Sequence, residues 1–221
     1  IIAIIIAMVA LVVILNGGVR KIPVQYAKKV QGRKMVGGQT TNIPLKVNTS
    51  GVIPIIFASS LMQLPLIVSS LFNYQGTGVW AEILKGMNSS NWCKPSQPVY
   101  TIGLLVYIVL VIFFAYFYTS ITFNPLEIAE NMKKQGGFIP GIRPGRPTSE
   151  YLTKILNYII FIGAIGLTIV GILPFVFNGL FNASVSFGGT SLIIIVSVIL
   201  ETVKQVESQM LVRNYKGFLN D

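Results

Sequence analysis

The chain has 221 residues, 52% of them hydrophobic and only 11% charged. Ordinary soluble domains carry about 25% charged residues, so the balance indicates a membrane protein. Lys and Arg outnumber Asp and Glu by 17 to 7, and there is one cysteine, Cys93, and no histidine; this excludes an intrachain disulfide and His-based acid–base or triad chemistry, and argues against a Cys/His zinc site.

A helix needs about 20 apolar residues to cross the hydrocarbon core. Residues 1–15, "IIAIIIAMVALVVIL", are apolar from the first position. They lack the basic flank and small-residue cleavage site of a signal peptide. They are expected to be the surviving end of a longer transmembrane helix, and the chain the later part of a larger protein. Further spans are expected at 51–72, 99–123, 151–177 and 187–203. None shows strand alternation, and helical bundles are the simpler membrane solution. The expectation is therefore an all-α polytopic bundle.

The connections differ in charge. Residues 16–50 hold Arg20, Lys21, Lys28, Lys29, Arg33, Lys34 and Lys46 and no acid. Residues 124–154 hold Lys133, Lys134, Arg143, Arg146 and Lys154 beside Glu127, Glu130 and Glu150. The tail 204–221 holds Lys204, Arg213 and Lys216, which leaves only Lys85 and Lys94 for the other connections. Orientation follows the Lys/Arg count of the loops. Loops 16–50 and 124–150 and the tail are thus expected in the cytoplasm.

The first loop is long for a helix connector, which usually runs about 2–8 residues. Its stretches "RKIPVQYA" and "IPLKV" suit a short hairpin. The basic run "KKVQGRK" could contact nucleic-acid phosphates or anionic lipid headgroups. In the second loop, Asn124 suits a helix cap, Pro125 the first helical position and Glu127 the first turn; Lys133 and Lys134 close that short helix. "QGG" stops it. "GFIPGIRPG", residues 137–145, cannot sustain a regular helix or a central strand and reads as a stiff turn that presents Arg143. "RPTSEYL" leads into the next span.

Inside the span at 51–72, Ser59 and Gln63 share a helix face beside Ser60, between Pro54 and Pro65. Such groups either bond helix to helix or line a functional polar seam. Pro65 is expected to loosen the helix locally. Gly163, Gly166 and Gly171 suit close helix packing.

The stretches "RKIPVQYAKKVQGRK", "IPLKVNTSGVIPIIFASS", "FYTSITFNP", "GGFIPGIRPG" and "FGGTSLIIIV" occur here in one order. Together they resemble the C-terminal half of the SecY family, the channel subunit of the bacterial Sec translocon, over family spans six to ten. The resemblance implies one half of a ten-helix pseudo-symmetric channel in the plasma membrane, with no cofactor and no bond chemistry. It implies passage of unfolded preproteins through the pore and lateral exit of signal sequences and membrane segments. Implied partners are SecE and SecG subunits, the SecA ATPase, the ribosome with its RNA, the lipid bilayer and the N-terminal half of the channel. Ile56 and Ile194 match pore-ring positions; as isolated residues they would read as lipid-facing or core isoleucines. Ser60 and Leu64 match the lateral gate, with Gln63 a nearby candidate from the residues alone. Lys28, Lys29, Arg33, Lys34 and Arg143 match the loops that dock SecA or the ribosome. A secondary transporter is the alternative; it would need paired ionisable groups near the midplane, and the spans contain none. An intramembrane enzyme would need an activating partner for Ser59 or Ser60, and no histidine or mid-span lysine supplies one.

Overall fold

The computed structural model describes residues 2–26, 29–31, 34–36, 40–72, 78–93, 98–181 and 189–216. The chain is mostly helical, with a small sheet at one end of a helical bundle. Helix α1 (Ile2–Gly17) leads into strand β1 (Val19–Tyr26). Short strands β2 (Lys29–Gln31) and β3 (Lys34–Val36) pair with each other, and β4 (Thr40–Lys46) returns antiparallel to β1, from Gln25↔Thr40 to Val19↔Lys46. The hairpin expected in the first loop is thus two successive ladders.

Helix α2 (Ile53–Leu71) crosses to the far end of the bundle, where α3 (Val79–Met87) and a 3-10 turn at Ser89–Asn91 lie. A second 3-10 turn at Pro98–Thr101 starts the return through α4 (Ile102–Thr122). Then come α5 (Pro125–Lys134), β5 (Gly137–Phe138), α6 (Arg146–Phe181) and α7 (Gly189–Lys216). Among the described residues, Ile53–Leu71, Val99–Lys134 and Arg146–Val176 are long and apolar enough to cross a membrane, and Ile6–Gly17 is a shorter apolar helix.

The local signals explain these elements. The Asn124 side chain accepts hydrogen bonds from the backbone N–H of Leu126 (3.2 Å) and Glu127 (3.5 Å), as a helix N-cap should. Gly136, at φ 73°, then ends α5 in a conformation that costs glycine little. Pro65 lies within a continuous α2, so it does not interrupt the helix. Two boundaries differ from expectation. Helix α6 begins at Arg146, because Gly145 (φ 107°) closes the turn and its carbonyl accepts from the N–H groups of Thr148 and Ser149; "RPTSEYL" is therefore the first turns of α6. Helix α7 continues past residue 203 to Lys216, through a run with neither Gly nor Pro to stop it. Helix α3 was not anticipated at all.

Three cores hold the bundle. Ile55, Ala58 and Met62 of α2 pack with Val12 of α1, Tyr107 and Val111 of α4, Leu167 and Val170 of α6, and Trp92. A second core fills the space between sheet and helices: Ile22 and Val24 point inward from β1 and meet Leu45, Met132, Ile139, Leu152 and Ile159. Ala115, Leu156, Ile160 and Ala164 form the third, between α4 and α6. The expected close packing at glycine is present: a Cβ on Gly163 would run into the Val47 carbonyl just after β4, and one on Gly166 into Leu15 of α1.

Candidate functional site

Helix α2 has two unlike sides. Pro54, Ile55, Ala58 and Met62 are buried against the bundle. On the opposite side Ile56, Ser60, Leu64, Ile67 and Leu71 recur at helical spacing and are exposed, with Gln63 beside them. The structure therefore brings Ile56, Ser60, Gln63 and Leu64 onto one uncovered side of one helix. Ile56 is 39% exposed and Leu64 55%. The Ser59 hydroxyl donates to the Ile56 carbonyl at 3.0 Å, within its own helix. Ser59 and Gln63 also line a cavity of about 330 Å³ with Met62, Tyr107 and Phe175.

Ile194 lies on α7, partly buried, and α7 packs on α1 and α6. The structure does not bring its side chain together with the α2 group through any described hydrogen bond or core cluster. Instead, the entry of α2 and the middle of α7 flank a cleft of about 520 Å³, lined among others by Lys46, Asn48, Ser197, Glu201, Lys204 and Gln205.

A chain of hydrogen bonds crosses the base of that cleft. The Asn48 amide donates to Asn16 Oδ1 at 2.7 Å, and the Asn16 amide donates to Ser197 Oγ at 2.9 Å. Lys204 Nζ donates to the Asn16 carbonyl at 3.3 Å. Asn48 is buried, and its Oδ1 has no partner among the described residues. Burying an amide without its bonds costs free energy, so this chain fixes how α1, the loop before α2 and α7 sit relative to one another. Ser197 is one helical turn beyond Ile194, so the same chain holds the helix that carries Ile194. Sequence reasoning missed Asn16, Asn48 and Ser197. Their partners are 32 and 181 residues apart, and the only local signal was asparagine at the ends of apolar runs.

The second surface lies at the sheet end. Arg143 is exposed on the 137–145 turn. The turn is fixed on both sides of it. Ile139 is buried in the sheet core, Ile142 N–H donates to the Ile139 carbonyl at 3.0 Å, and the Thr148 hydroxyl donates to the Arg143 carbonyl at 2.9 Å. Gly141 (φ 83°) and Gly145 take backbone angles that other residues rarely adopt. The turn starts as β5, which pairs with β1 at Gln25↔Phe138 and Tyr26↔Gly137. Sheet order is β4-β1-β5, so the two basic loops form one platform. Gly137 suits this junction, since a Cβ there would sit 2.9 Å from the Tyr26 ring. Lys29 and Lys34 stand on β2 and β3, whose register pairs Gln31 with Lys34. Lys28 and Arg33 lie outside the described residues.

The apolar spans, the uncovered side of α2 and the basic sheet platform define a class: a polytopic helical membrane protein, with an incompletely covered wall and a small basic sheet at one end. The SecY family profile matches residues 1–203. The chain belongs to the SecY family. It is 50% identical over 221 residues to protein translocase subunit SecY of Streptomyces galbus, covering 99% of this chain and 48% of that protein. It is 49% identical over 215 residues to the Mycobacterium leprae subunit of the same name, covering 94% and 48%. The chain thus spans about half the length of the relatives it matches. Its fold resembles a solved chain described as "The structure of a protein conducting channel", with a TM-score of 0.63 at 20% identity, covering 100% of this chain and 51% of that one. A second, from work on the plug domain of the SecY protein, gives a TM-score of 0.64 at 20% identity and covers 100% and 52%.

Proposed function

We propose that this chain forms one half of the wall of a protein-conducting channel in the bacterial plasma membrane. The channel passes unfolded preproteins across the bilayer and releases hydrophobic segments into it. The observation that carries this reading is the uncovered side of α2. A membrane helix that buries one side in its own bundle and exposes Ser60 and Gln63 on another is built to face protein or water there.

On this reading Ile56 and Ile194 contribute to an apolar collar. Isoleucine fits the task because its side chain excludes ions and water yet forms no hydrogen bond that would hold a passing peptide. Ser60, Gln63 and Leu64 line the exit through which a signal sequence reaches lipid. The N-terminal half of the channel faces the exposed side of α2 across the pore and the exit. The sheet platform lies in the cytoplasm, in agreement with the Lys/Arg count of its loops. There Arg143, Lys28, Lys29, Arg33 and Lys34 meet SecA or ribosomal RNA, and the fixed backbone around Arg143 limits the entropy lost on docking. SecE- and SecG-type subunits complete the assembly. The transporter alternative is disfavoured, since the buried polar side chains among the described residues are Asn, Ser and Thr, with no buried carboxylate or ammonium to couple an ion.

The test uses the full-length protein. A photoactivatable crosslinker on Ser60→Cys should capture the signal sequence of an arrested preprotein. Capture of lipid alone would overturn the gate assignment.

A further inference from the structure

Helix α3 sits at the end of the bundle away from the sheet, and its three sides differ. Ala81 and Leu84 turn toward the protein. Glu82 and Lys85 occupy a second side as an exposed ion pair at 3.1 Å, and the Tyr100 hydroxyl donates to Glu82 at 2.8 Å. Val79, Trp80 and Ile83 form the third side and are 79%, 47% and 44% exposed. Three large apolar side chains on one short helix are costly in water, at roughly 25 cal/mol for each Å² left uncovered.

Two contacts fix the height of α3 on the bundle. Trp80 Nε1 donates to Ser69 Oγ in the last turns of α2, at 3.4 Å. The Tyr100–Glu82 bond ties the charged side to the start of α4. Helix α3 is thereby held at the level where the apolar span α2 ends and the apolar span α4 begins. At this level two aromatic residues, Trp80 and Tyr100, each combine a ring with a hydrogen-bonded polar end, the arrangement found at membrane–water boundaries.

We propose that α3 is an interfacial helix that lies flat in the lipid leaflet at this end of the bundle. Val79, Trp80 and Ile83 enter the boundary between headgroups and acyl chains, and Glu82 and Lys85 face water. The occupant is lipid because α3 joins the ends of two membrane-spanning helices, at the level of the bilayer boundary, and because its charges lie on a different side from Val79, Trp80 and Ile83, as an amphipathic interfacial helix requires. The helix thereby ties the far end of α2, the helix with the uncovered side, to the depth of the membrane surface.

The test is nitroxide depth measurement on the full-length protein in phosphatidylcholine–phosphatidylglycerol vesicles. The background carries Cys93→Ser and lacks any other cysteine; labels are placed singly at Val79→Cys, Ile83→Cys and Lys85→Cys. All three sites are exposed, so folding should be retained. Labels at 79 and 83 should collide with oxygen more than with a water-soluble nickel chelate, at a depth of roughly 5–10 Å, and the label at 85 should favour the chelate. Free access of the chelate to 79 and 83 would overturn the proposal. So would exclusion of both reagents there, which would mean that another part of the protein or a second copy covers this side.

Discussion

Helices α2 and α4 pack side by side and both expose apolar residues, but their exposed sides are not alike. On α4 the exposed residues from 102 to 117 are Ile102, Leu105, Val106, Val109, Phe113 and Phe117, all apolar, and the exposed Ser120 and Thr122 are confined to the last turn. On α2 the corresponding stretch holds Ser60 and Gln63 among Ile56, Leu61, Leu64 and Ile67. Hydrocarbon tolerates the first surface and penalises the second. On the proposed reading α4 is the lipid-facing wall and α2 the pore-facing one, and what separates them is not exposure but the polar atoms at mid-span of α2. The two helices meet through the Phe57–Phe114 stack, with ring centroids 5.6 Å apart, and through the core around Ala58. That contact holds the two exposed sides at a fixed angle.

The most disruptive way to break this arrangement is Ala58→Leu. Ala58 is fully buried at 0% exposure, and overpacking of such a site costs about 3 kcal/mol at the upper end of the usual range. A lowered midpoint in denaturant unfolding of the detergent-solubilised full-length protein should report it, and the aqueous accessibility of Ser60→Cys should fall as α2 rotates. Asn16→Ala should cost less, about 2 kcal/mol, because it strands the buried Asn48 amide and frees Ser197. It leaves the α2–α4 contact intact, so Ser60→Cys accessibility should hold while α7 becomes more open to proteolysis. Arg143→Glu should have the smallest effect on the fold. Arg143 is exposed and its side chain makes no described contact, so stability should stay within about 0.5 kcal/mol. Export of a reporter in cells lacking the native copy should nevertheless fail. Wild-type export would remove Arg143 from the docking surface.

Much of the fold was legible in the sequence because membrane spans are read from local hydropathy. The cap at Asn124, the stop at Gly136 and the glycine packing in α6 were legible for the same reason, as each depends on neighbours or on residue size. Helix α3 was passed over although "VWAEILKGM" carries an acid in its first turn and a lysine in its last. The nine-residue length and the flanking loop residues concealed its amphipathic pattern. The β1–β5 pairing could not be read, since β5 is only two residues long and meets a strand more than a hundred positions earlier. The Asn16–Asn48–Ser197 chain was hidden for the same reason: three polar residues on three elements acquire meaning only when the fold joins them. Of the candidate site, Ile56, Ser60, Gln63 and Leu64 fell together because they share one helix. Ile194 did not, because it lies on another.

The central claim is that the uncovered side of α2 faces a translocating chain while that of α4 faces lipid. Single cysteines at Ile56, Ile194 and Val109, in the full-length protein with an arrested preprotein, test it directly. Val109 is 64% exposed on α4 and serves as the lipid-facing reference. Ile56→Cys and Ile194→Cys should crosslink to the preprotein, and Val109→Cys should react only with a lipid-soluble probe. If Ile56→Cys behaves like Val109→Cys, the side of α2 is a lipid surface and the pore assignment is wrong.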